Sequence, residues 1–295
     1  MDAVAVCRER CWKTDWVIDL DIQGFFDNLD HGFVLNAVAY HTDLRWVLLY
    51  VERWLKAPLQ GPDGSLQARD RGSPQGSAVS RVLANLFMHY AFDAWMAREY
   101  PAVRFERYCD DIVVHCRNET QAHQVRQDIA GRLADCGGLE LHPEKTRIVY
   151  CRDRNRRGSA EHTSFTFLGY GFRARKLRTK YGDFFFGFSP AISDETAKRI
   201  RVQIRRWRLH LRSETSLEGL AREINPVVRG WINYFGRFQP SALRFSLNRI
   251  NDYLVRWLVR KYKRFKRKRA RAREALRRHA RLFPGLFAHW KFVTP

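Results

Sequence analysis

Apolar and polar positions early in the chain form a pattern that predicts a strand and then a helix. Residues 17–22 alternate and are rich in β-branched side chains, which predicts a buried strand with Asp19 and Asp21 on one face. Between residues 33 and 57, large apolar side chains recur every three to four positions, as in one amphipathic helix. Residues 1–15 are polar and show no clear start to a domain.

The middle of the chain predicts a loop, a long helix and a hairpin. A Gly-Ser-Pro-Gln-Gly loop opens a helix within residues 71–96. In residues 104–116, aromatic and β-branched runs flank Asp110 and Asp111, which predicts two strands joined by a tight turn. Adjacent carboxylates at such a turn repel each other unless a cation or a proton lies between them. Asp is also common in ordinary hairpin turns, so the pair alone does not establish a site.

The last part of the chain is predicted to be helical. Residues 165–173 favour one further strand, after which apolar residues follow helical spacing. Asn225 and Pro226 are typical of a helix start and predict that a helix begins there. Another helix is predicted to start at Ser241 and to continue into residues 260–273, where ten of fourteen residues are Lys or Arg.

The change from mixed elements to helices predicts two domains. Strands and helices alternate over residues 1–175, which predicts an α+β domain with an antiparallel sheet and packed helices. Residues 176–190 are predicted to form a connecting hairpin or linker, and residues 191–295 an all-helical, basic domain.

The charge balance narrows the class of partner. The chain of 295 residues carries 53 Lys and Arg against 31 Asp and Glu, a net charge of +22. A field of this sign favours a polyanion, with nucleic acid first and an anionic membrane surface second. Because the sequence has no run of eighteen apolar residues and no signal-peptide pattern, it predicts an intracellular protein without a membrane span.

The six cysteines are scattered, which suits a reducing compartment. Cys7 and Cys11 have a spacing that a metal ion can use, but no second pair follows at zinc-site spacing. The sequence therefore argues against a zinc protein.

Three carboxylates favour a different metal. If the strand that carries Asp21 lies beside the hairpin that carries Asp110 and Asp111, the three side chains form an all-oxygen site, which suits Mg²⁺. Two such ions about 3.5–4 Å apart activate an attacking hydroxyl and stabilise a leaving phosphate oxygen. Nucleases and polymerases both use this arrangement, so the carboxylates alone leave both open.

A family resemblance separates these alternatives. Five blocks resemble, in order, the palm motifs of reverse transcriptases: DIQGFFDNLDH (21–31), GSPQGSAVSRVLANLFMH (72–89), YCDD (108–111), GLELHPEKT (138–146) and FTFLGYGF (165–172). A sixth, INPVVRGWINYFGRF (224–238), resembles the maturase signature of bacterial group II intron proteins. The chain is similar to the intron-encoded reverse transcriptase/maturase family, in particular to its class C type, which lacks an endonuclease domain.

The resemblance implies a reverse transcriptase palm over residues 1–175, followed by a helical thumb and maturase domain over residues 191–295. Only about twenty residues precede Asp21, so we expect the fingers section of the family to be missing from this chain. We also expect no endonuclease, because fourteen residues follow Arg281.

The resemblance also assigns residues to roles. Asp21, Asp110 and Asp111 are the implied ligands of two Mg²⁺ ions, and Lys145 is an implied proton donor to the leaving pyrophosphate or, equally, a plain surface lysine. Phe26 matches the side chain that excludes a 2′-hydroxyl, or is simply a core residue. The other implied nucleotide-binding residues are Ile22, Gln75 and Gly76, whereas Asp19, Asp27 and Asp30 are expected to be structural.

Basic and aromatic residues of the helical domain are implied to bind RNA, since Arg pairs with phosphates and aromatic rings stack on unpaired bases. They are Arg229, Trp231, Asn233, Tyr234, Lys261, Lys263, Arg264, Lys266 and Arg267. Trp231 is more often a core residue at such a position, and the alternative for the basic run is a solvated helix end.

The implied function is RNA-directed DNA synthesis with maturase activity in RNA splicing and intron mobility. The implied partners are group II intron RNA, an RNA template with a DNA primer, deoxynucleotide triphosphates and a DNA target, in the bacterial cytosol or nucleoid and without a membrane. The alternative is a polymerase-inactive RNA-binding splicing factor that needs a separate N-terminal half. A retron or another non-intron reverse transcriptase is a weaker option, because the sixth block belongs to maturases.

Overall fold

The computed structural model describes residues 2–74, 77–156, 158–179 and 181–295, which form two compact units. The first unit, here the sheet unit, holds residues 2–168 and 173–188. The second, here the helical unit, holds residues 169–172 and 189–295.

The sheet unit combines helices with short strands. Its helices are α1 (Asp2–Lys13), α2 (Phe25–Asn28), α3 (His31–Ala39), α4 (Arg45–Lys56), α5 (Ala78–Met88), α6 (Ala94–Glu99) and α7 (Glu119–Asp135), with a π-helical turn at His89–Asp93. Its strands are β1 (Trp16–Leu20), β2 (Leu59–Gln60), β3 (Leu66–Gln67), β4 (Arg104–Tyr108), β5 (Asp111–Cys116), β6 (Arg147–Tyr150) and β7 (Ser164–Phe167).

Two long strands precede the helices of the helical unit along the chain, and each contains residues of both units. They are β8 (Tyr170–Arg178) and β9 (Phe184–Ile192), which form a three-stranded sheet of order β7-β8-β9 together with β7. The helices of this unit are α8 (Asp194–Arg206), α9 (Leu217–Phe235), α10 (Pro240–Lys261) and α11 (Arg269–Leu282). Its core contains the apolar stripes of all four helices.

The central sheet of the sheet unit has the order β4-β5-β1-β6 with antiparallel pairing throughout. One face packs into the hydrophobic core, because successive side chains along a strand point to opposite sides. Its core residues include Ile18, Leu20, Ile112 and Val114. The other face, here called the polar face, carries Asp19, Glu106 and His115, which the pairing register places around Val113.

Helix α1 occupies a segment in which the sequence shows no clear start to a domain. Val4, Cys7 and Cys11 are completely buried and recur at helical spacing. The stripe is hard to detect in the sequence because two of its three members are cysteines, which behave as small apolar residues when buried. The sheet unit therefore already includes the residues from Asp2 onward.

The helix predicted over residues 33–57 is two helices, α3 and α4. The N–H of His41 bonds to the carbonyl of Val38 at 2.9 Å, which tightens and ends α3. The hydroxyl of Thr42 then accepts a hydrogen bond from the N–H of Leu44 at 3.2 Å. Such local side-chain bonds compete with helix continuation.

Two other boundaries also differ from the predictions. Residues 165–173 form the end of one strand and the start of another, since Leu168 and Gly169 have positive φ angles of 51° and 79° and make a turn. The helix predicted within residues 71–96 begins at Ala78 and contains the π-helical turn.

Pro226 lies inside α9 rather than at its start. Ser216 caps this helix, because its hydroxyl accepts a hydrogen bond from the N–H of Gly219 at 3.1 Å. Asn225 instead uses its side chain to hold the segment at Leu286 and Ala288, with hydrogen bonds of 2.8 and 2.9 Å. Proline removes one helical bond, and tertiary packing of the buried stripe offsets that loss.

The basic run also departs from the predicted single helix. Helix α10 ends at Lys261, a short 3₁₀ turn covers Lys263–Phe265, and α11 begins at Arg269. The turn places Phe265 in the core of the helical unit, while the basic side chains beside it remain exposed.

Candidate active site

Asp21 and Asp111 lie at neighbouring strand ends. The register pairs Leu20 of β1 with Ile112 of β5, and Asp21 directly follows Leu20 while Asp111 directly precedes Ile112. Asp110 precedes Asp111 in the turn between β4 and β5, and all three aspartates are half-buried.

The carboxylate of Asp111 is held by the backbone. Its Oδ2 accepts a hydrogen bond from the N–H of Leu168 at 3.1 Å. Burial raises the pKa of Asp111 to about 6, and the negative charges of Asp110 and Asp21 act in the same direction, whereas the Leu168 hydrogen bond opposes them. The three carboxylates therefore repel each other, and a cation would relieve that repulsion.

An arginine on the preceding strand fixes the turn. Arg107 donates to both carboxylate oxygens of Asp93, with Nε–Oδ1 and Nη2–Oδ2 distances of 2.7 and 2.5 Å. Its Nη1 also donates to the side chain of Asn85 at 2.9 Å and to the carbonyl of Cys109 at 3.1 Å. Cys109 has a φ angle of 61°, a strained conformation that such contacts stabilise.

Sequence reasoning missed Arg107 and Asp93 as positioning residues. Helical spacing places Asp93 on the same stripe as the apolar residues of α5, near its exposed end. The π-helical turn at His89–Asp93 shifts this spacing, and Asp93 meets Arg107. No pattern in the sequence signals a π-helical turn, although such turns are frequent at functional sites.

Asp19 belongs to the same electrostatic cluster, although the sequence predicts a structural role. Burial, together with the negative charge of Asp111, raises the pKa of Asp19 to about 8, and Arg147 opposes the shift. Asp19 shares the polar face with Asp21, as their spacing of two along a strand predicts.

Lys145 lies beside Asp21. Its Nζ is 3.2 Å from Oδ2 of Asp21, and its side chain is 61% exposed. The loop that carries it is tied to the backbone of Asp21, because the N–H of His142 and the hydroxyl of Thr146 both donate to the Asp21 carbonyl. The ammonium group is thus held at the carboxylates, although so exposed an ion pair contributes little stability.

The backbone of Phe26 contacts the start of the Gly-Ser-Pro-Gln-Gly loop, whereas Ile22 forms an isolated bridge with Leu141. The carbonyl of Phe26 accepts a hydrogen bond from the N–H of Ser73 at 2.7 Å, and Gly72 bonds to Leu29 at 2.7 Å. Gly72 has a φ angle of 80°, and a Cβ there would lie 2.6 Å from the carbonyl oxygen of Asp27. Ile22 is buried and Phe26 is half-buried.

Two of the predicted nucleotide-binding residues, Gln75 and Gly76, lie outside the described residues. Asp30 is structural as expected, because its side chain accepts a hydrogen bond from the N–H of Phe33 and caps α3. Oxygen donors of the three site carboxylates, with like charges close together, fit Mg²⁺ as the cation.

The predicted RNA-binding residues divide by exposure. Six are exposed in the helical unit: Arg229, Asn233, Lys263, Arg264, Lys266 and Arg267. Lys261 instead donates through Nζ to the carbonyl of Thr215 at 2.8 Å and lies 4.8 Å from the centre of the Trp257 ring. Its contacts are therefore internal to the unit.

The two aromatic candidates are partly buried. Trp231 stacks on Trp207 with ring centres 5.4 Å apart, and both pack against the core. Tyr234 packs on Tyr170, and the Tyr170 hydroxyl donates to the Tyr234 carbonyl. These contacts give both residues a packing role.

Residues 4–172 match the family described as reverse transcriptase (RNA-dependent DNA polymerase), which is more than half of the chain. The chain belongs to the reverse transcriptase family. Residues 197–276 match the maturase-specific domain of group II introns. The resemblance drawn from the motifs is therefore confirmed, as is the fold class of a reverse transcriptase sheet domain followed by a helical maturase domain.

Two curated relatives each match slightly more than half of this chain. Protein YkfC of Escherichia coli (strain K12) is 26% identical over 202 residues, 57% of this chain and 49% of that protein. The putative COX1/OXI3 intron 2 protein of Saccharomyces cerevisiae is 21% identical over 165 residues, 56% of this chain and 18% of that protein. The chain thus spans about half the length of the first relative and less of the second.

The chain is also similar to a solved structure of telomerase from Candida albicans in complex with the TWJ fragment of telomeric RNA. The alignment covers 98% of this chain and 51% of the telomerase chain. The identity is 13% and the TM-score 0.48. Within the described parts of the chain, no helix is both long and apolar enough to cross a bilayer.

Proposed function

We propose that this chain carries out RNA-directed DNA synthesis at Asp21, Asp110 and Asp111, and that its helical unit binds group II intron RNA as a maturase. The observation that supports the first part best is the placement of Asp21 and Asp111 beside the paired residues Leu20 and Ile112 at adjoining strand ends. The membership of the chain in the reverse transcriptase family supports polymerisation rather than cleavage.

The three aspartates are proposed to hold two Mg²⁺ ions. When bound, such ions activate the 3′-hydroxyl of the primer and stabilise the leaving pyrophosphate. Leu168 keeps the Asp111 carboxylate in one orientation, and Arg107 keeps the turn in place, so the donor oxygens are preorganised.

Residues around the carboxylates are proposed to bind the incoming deoxynucleotide triphosphate. The ammonium of Lys145, held at Asp21, donates a proton to the leaving pyrophosphate. The ring of Phe26 excludes a 2′-hydroxyl, the backbone of Ile22 contacts the triphosphate, and Gln75 and Gly76 lie under the nucleotide.

The helical unit is proposed to hold intron RNA through its exposed basic residues. Lys263, Arg264, Lys266 and Arg267 follow one another along the turn between α10 and α11 and face solvent. Release of counterions from RNA makes such binding favourable and sensitive to salt. Arg229 and Asn233 extend the surface along α9. We therefore also propose that the chain meets intron RNA and a DNA target in the bacterial cytosol or nucleoid.

The decisive experiment is primer extension on an RNA template with a DNA primer, deoxynucleotides and Mg²⁺. We expect incorporation that Asp110→Asn abolishes and that chelation of Mg²⁺ stops. Because the chain spans about half of YkfC, the reaction is run with this chain alone and with a supplied N-terminal reverse transcriptase segment. No incorporation in either reaction contradicts the polymerase assignment.

A polymerase-inactive splicing factor is the second candidate, and the separate maturase match over residues 197–276 favours it. In that case the chain binds intron RNA and promotes splicing without extending a primer. Equal affinity for intron RNA and for an unrelated RNA of the same length, at physiological salt, contradicts the maturase assignment.

A further inference from the structure

A second group of potential ligands lies on the polar face of the sheet, away from the proposed catalytic carboxylates. Ligand atoms of Cys7, Glu106 and His115 lie within 4.8 Å of one another, and all three residues are buried. His115 and Asp111 belong to the same strand and are four residues apart, about 13 Å along it. The two groups are therefore separate sites.

The polar atoms of this group are incompletely satisfied within the part of the chain that the structure describes. His115 is 3% exposed, and its Nε2 lies 2.5 Å from Oε2 of Glu106. Its other ring nitrogen, Nδ1, is buried and has no hydrogen-bond partner among the described residues. His115, Glu106 and Cys7 thus offer one nitrogen, one oxygen and one sulfur ligand to a single cation.

Further thiols adjoin the group. Cys11 lies one helical turn after Cys7 on α1, and its thiol hydrogen-bonds the thiols of Cys7 and Cys151. None of these cysteines is in a disulfide. Two side chains four apart on a helix face the same way, so Cys7 and Cys11 can bind one ion together.

The charges at this position also suit a divalent ion. Arg10 lies with Nη1 2.7 Å from Oε1 of Glu106, in a buried setting where Glu106 is 7% exposed. Two thiolates and one carboxylate exceed the charge of a divalent cation by one. Arg10 neutralises that excess, and His115 binds as a neutral imidazole.

We propose that Cys7, Cys11, Glu106 and His115 form a structural site for a thiolate-binding divalent cation of the Zn²⁺ class. Each thiol loses its proton to solvent as the bond to the metal forms. Nitrogen and oxygen ligands of a tetrahedral zinc ion are about 3.3 Å apart, so the hydrogen bond between His115 and Glu106 is replaced by two metal bonds. The ion then joins α1 to the β4–β5 hairpin.

The sequence argument against zinc does not reach the proposed site, for a physical reason. It looked for a second cysteine pair at zinc-site spacing, and none exists. Folding supplies the remaining ligands from the two strands of a hairpin about one hundred residues away, where the register sets His115 and Glu106 on one face.

Metal content tests the site directly. The full chain is expressed with zinc, dialysed in excess Mg²⁺ so that all-oxygen sites hold Mg²⁺, and assayed for bound zinc by mass spectrometry. We expect ~1 zinc per chain. Substitution with Co²⁺ is expected to give thiolate-to-cobalt charge-transfer bands and the intense visible bands of tetrahedral coordination.

Matched variants identify the ligands. Cys7→Ser is expected to weaken zinc binding by about 100-fold or more and to remove the charge-transfer bands. Cys136→Ser alters a buried cysteine outside the group and is expected to leave both unchanged. Wild-type protein that retains no zinc and shows no cobalt–thiolate bands overturns the proposal, whatever the folding of the variants. Unchanged bands in folded Cys7→Ser overturn it as well. Primer extension is not a readout here, so the result is independent of the proposed function.

Discussion

The two units treat their buried polar groups in opposite ways. In the sheet unit the main buried or half-buried polar clusters are ionisable, as in the Arg10–Glu106 pair and the aspartates around Asp111. In the helical unit the main buried network is neutral. Asn251 contacts His289 Nε2 at 2.8 Å and Trp290 Nε1 at 3.1 Å, and its amide donates to the carbonyl of Val293 at 3.3 Å.

This difference suits the sheet unit to catalysis and the buried network of the helical unit to structural support. Charges that repel one another raise the free energy of the folded sheet unit and are useful only where a cation or substrate binds. Neutral hydrogen bonds in the helical unit hold the C-terminal segment against α10 and leave its exposed basic residues for a partner. Substitution should therefore affect activity in one unit and stability in the other.

The largest expected effect is on activity. Asp111→Asn removes a proposed metal ligand, and we expect primer extension to fall by about 10³-fold. Its thermal midpoint in metal-free buffer should be unchanged or higher, because repulsion with Asp110 and Asp21 is relieved. Asp135→Asn, at the exposed end of α7, is the matched control. Extension by Asp111→Asn within tenfold of wild type contradicts the assignment.

Next comes a stability effect in the helical unit. Asn251→Ala leaves the buried donors of His289 and Trp290 unpaired, and we expect a loss of about 2–4 kcal/mol in the free energy of unfolding. Urea titration followed by circular dichroism measures it. Asn233→Ala, on an exposed position of α9, should change stability by less than about 0.5 kcal/mol. Similar losses in both variants would contradict a stabilising role for the buried hydrogen bonds of Asn251.

The third prediction concerns pH. Burial lowers the pKa of His289 to about 3, so the folded state keeps this imidazole neutral while the unfolded state binds a proton below its ordinary pKa of 6.5. Stability from this residue is thus complete above pH 6.5 and decreases as pH falls toward about 3. Between pH 6.5 and 5 the loss should be about 1.5–2 kcal/mol.

Unfolding curves across that window check the sign. His289→Gln should remove this part of the pH dependence, although its stability at pH 7 is lower. His123→Gln, at an exposed position of α7, should keep it. The raised pKa values of Asp19 and Asp111 add stability as the pH falls, so only the difference between wild type and His289→Gln reports on His289. The same pH dependence in both proteins between pH 6.5 and 5 is incompatible with a neutral buried His289.

The smallest expected effect concerns substrate choice. Phe26→Val should reduce discrimination against ribonucleotides by about tenfold, because the smaller side chain leaves room for a 2′-hydroxyl. Competition between deoxynucleotide and ribonucleotide in primer extension measures it. Phe25→Leu alters the buried neighbour and should leave discrimination unchanged. If both variants behave alike, Phe26 acts through packing alone.

The carboxylate cluster could be predicted from the sequence, because each structural element that carries an aspartate is set by a local sequence pattern. Alternation fixes which face of a strand Asp21 occupies, and the apolar runs around Asp110 and Asp111 fix a hairpin. The metal ions and their chemistry stay predictions, supported by register and by raised pKa values.

What the sequence did not provide depends on contacts between distant segments. The pair of hydrogen bonds between Arg107 and Asp93 depends on a π-helical turn that brings Asp93 to Arg107. Helix α1 depends on cysteines that pack as core residues. Pro226 misled the prediction for α9, because tertiary packing outweighs the local preference of proline for a first turn.

One contact at the candidate site has a consequence for sequence variation. The hydrogen bond that orients Asp111 comes from the main-chain N–H of residue 168, and every amino acid except proline can supply it. The positive φ angle there favours glycine or asparagine over leucine, so replacement by either should be tolerated. The position can therefore drift among homologues while its role is preserved, and a comparison of side chains alone would overlook it.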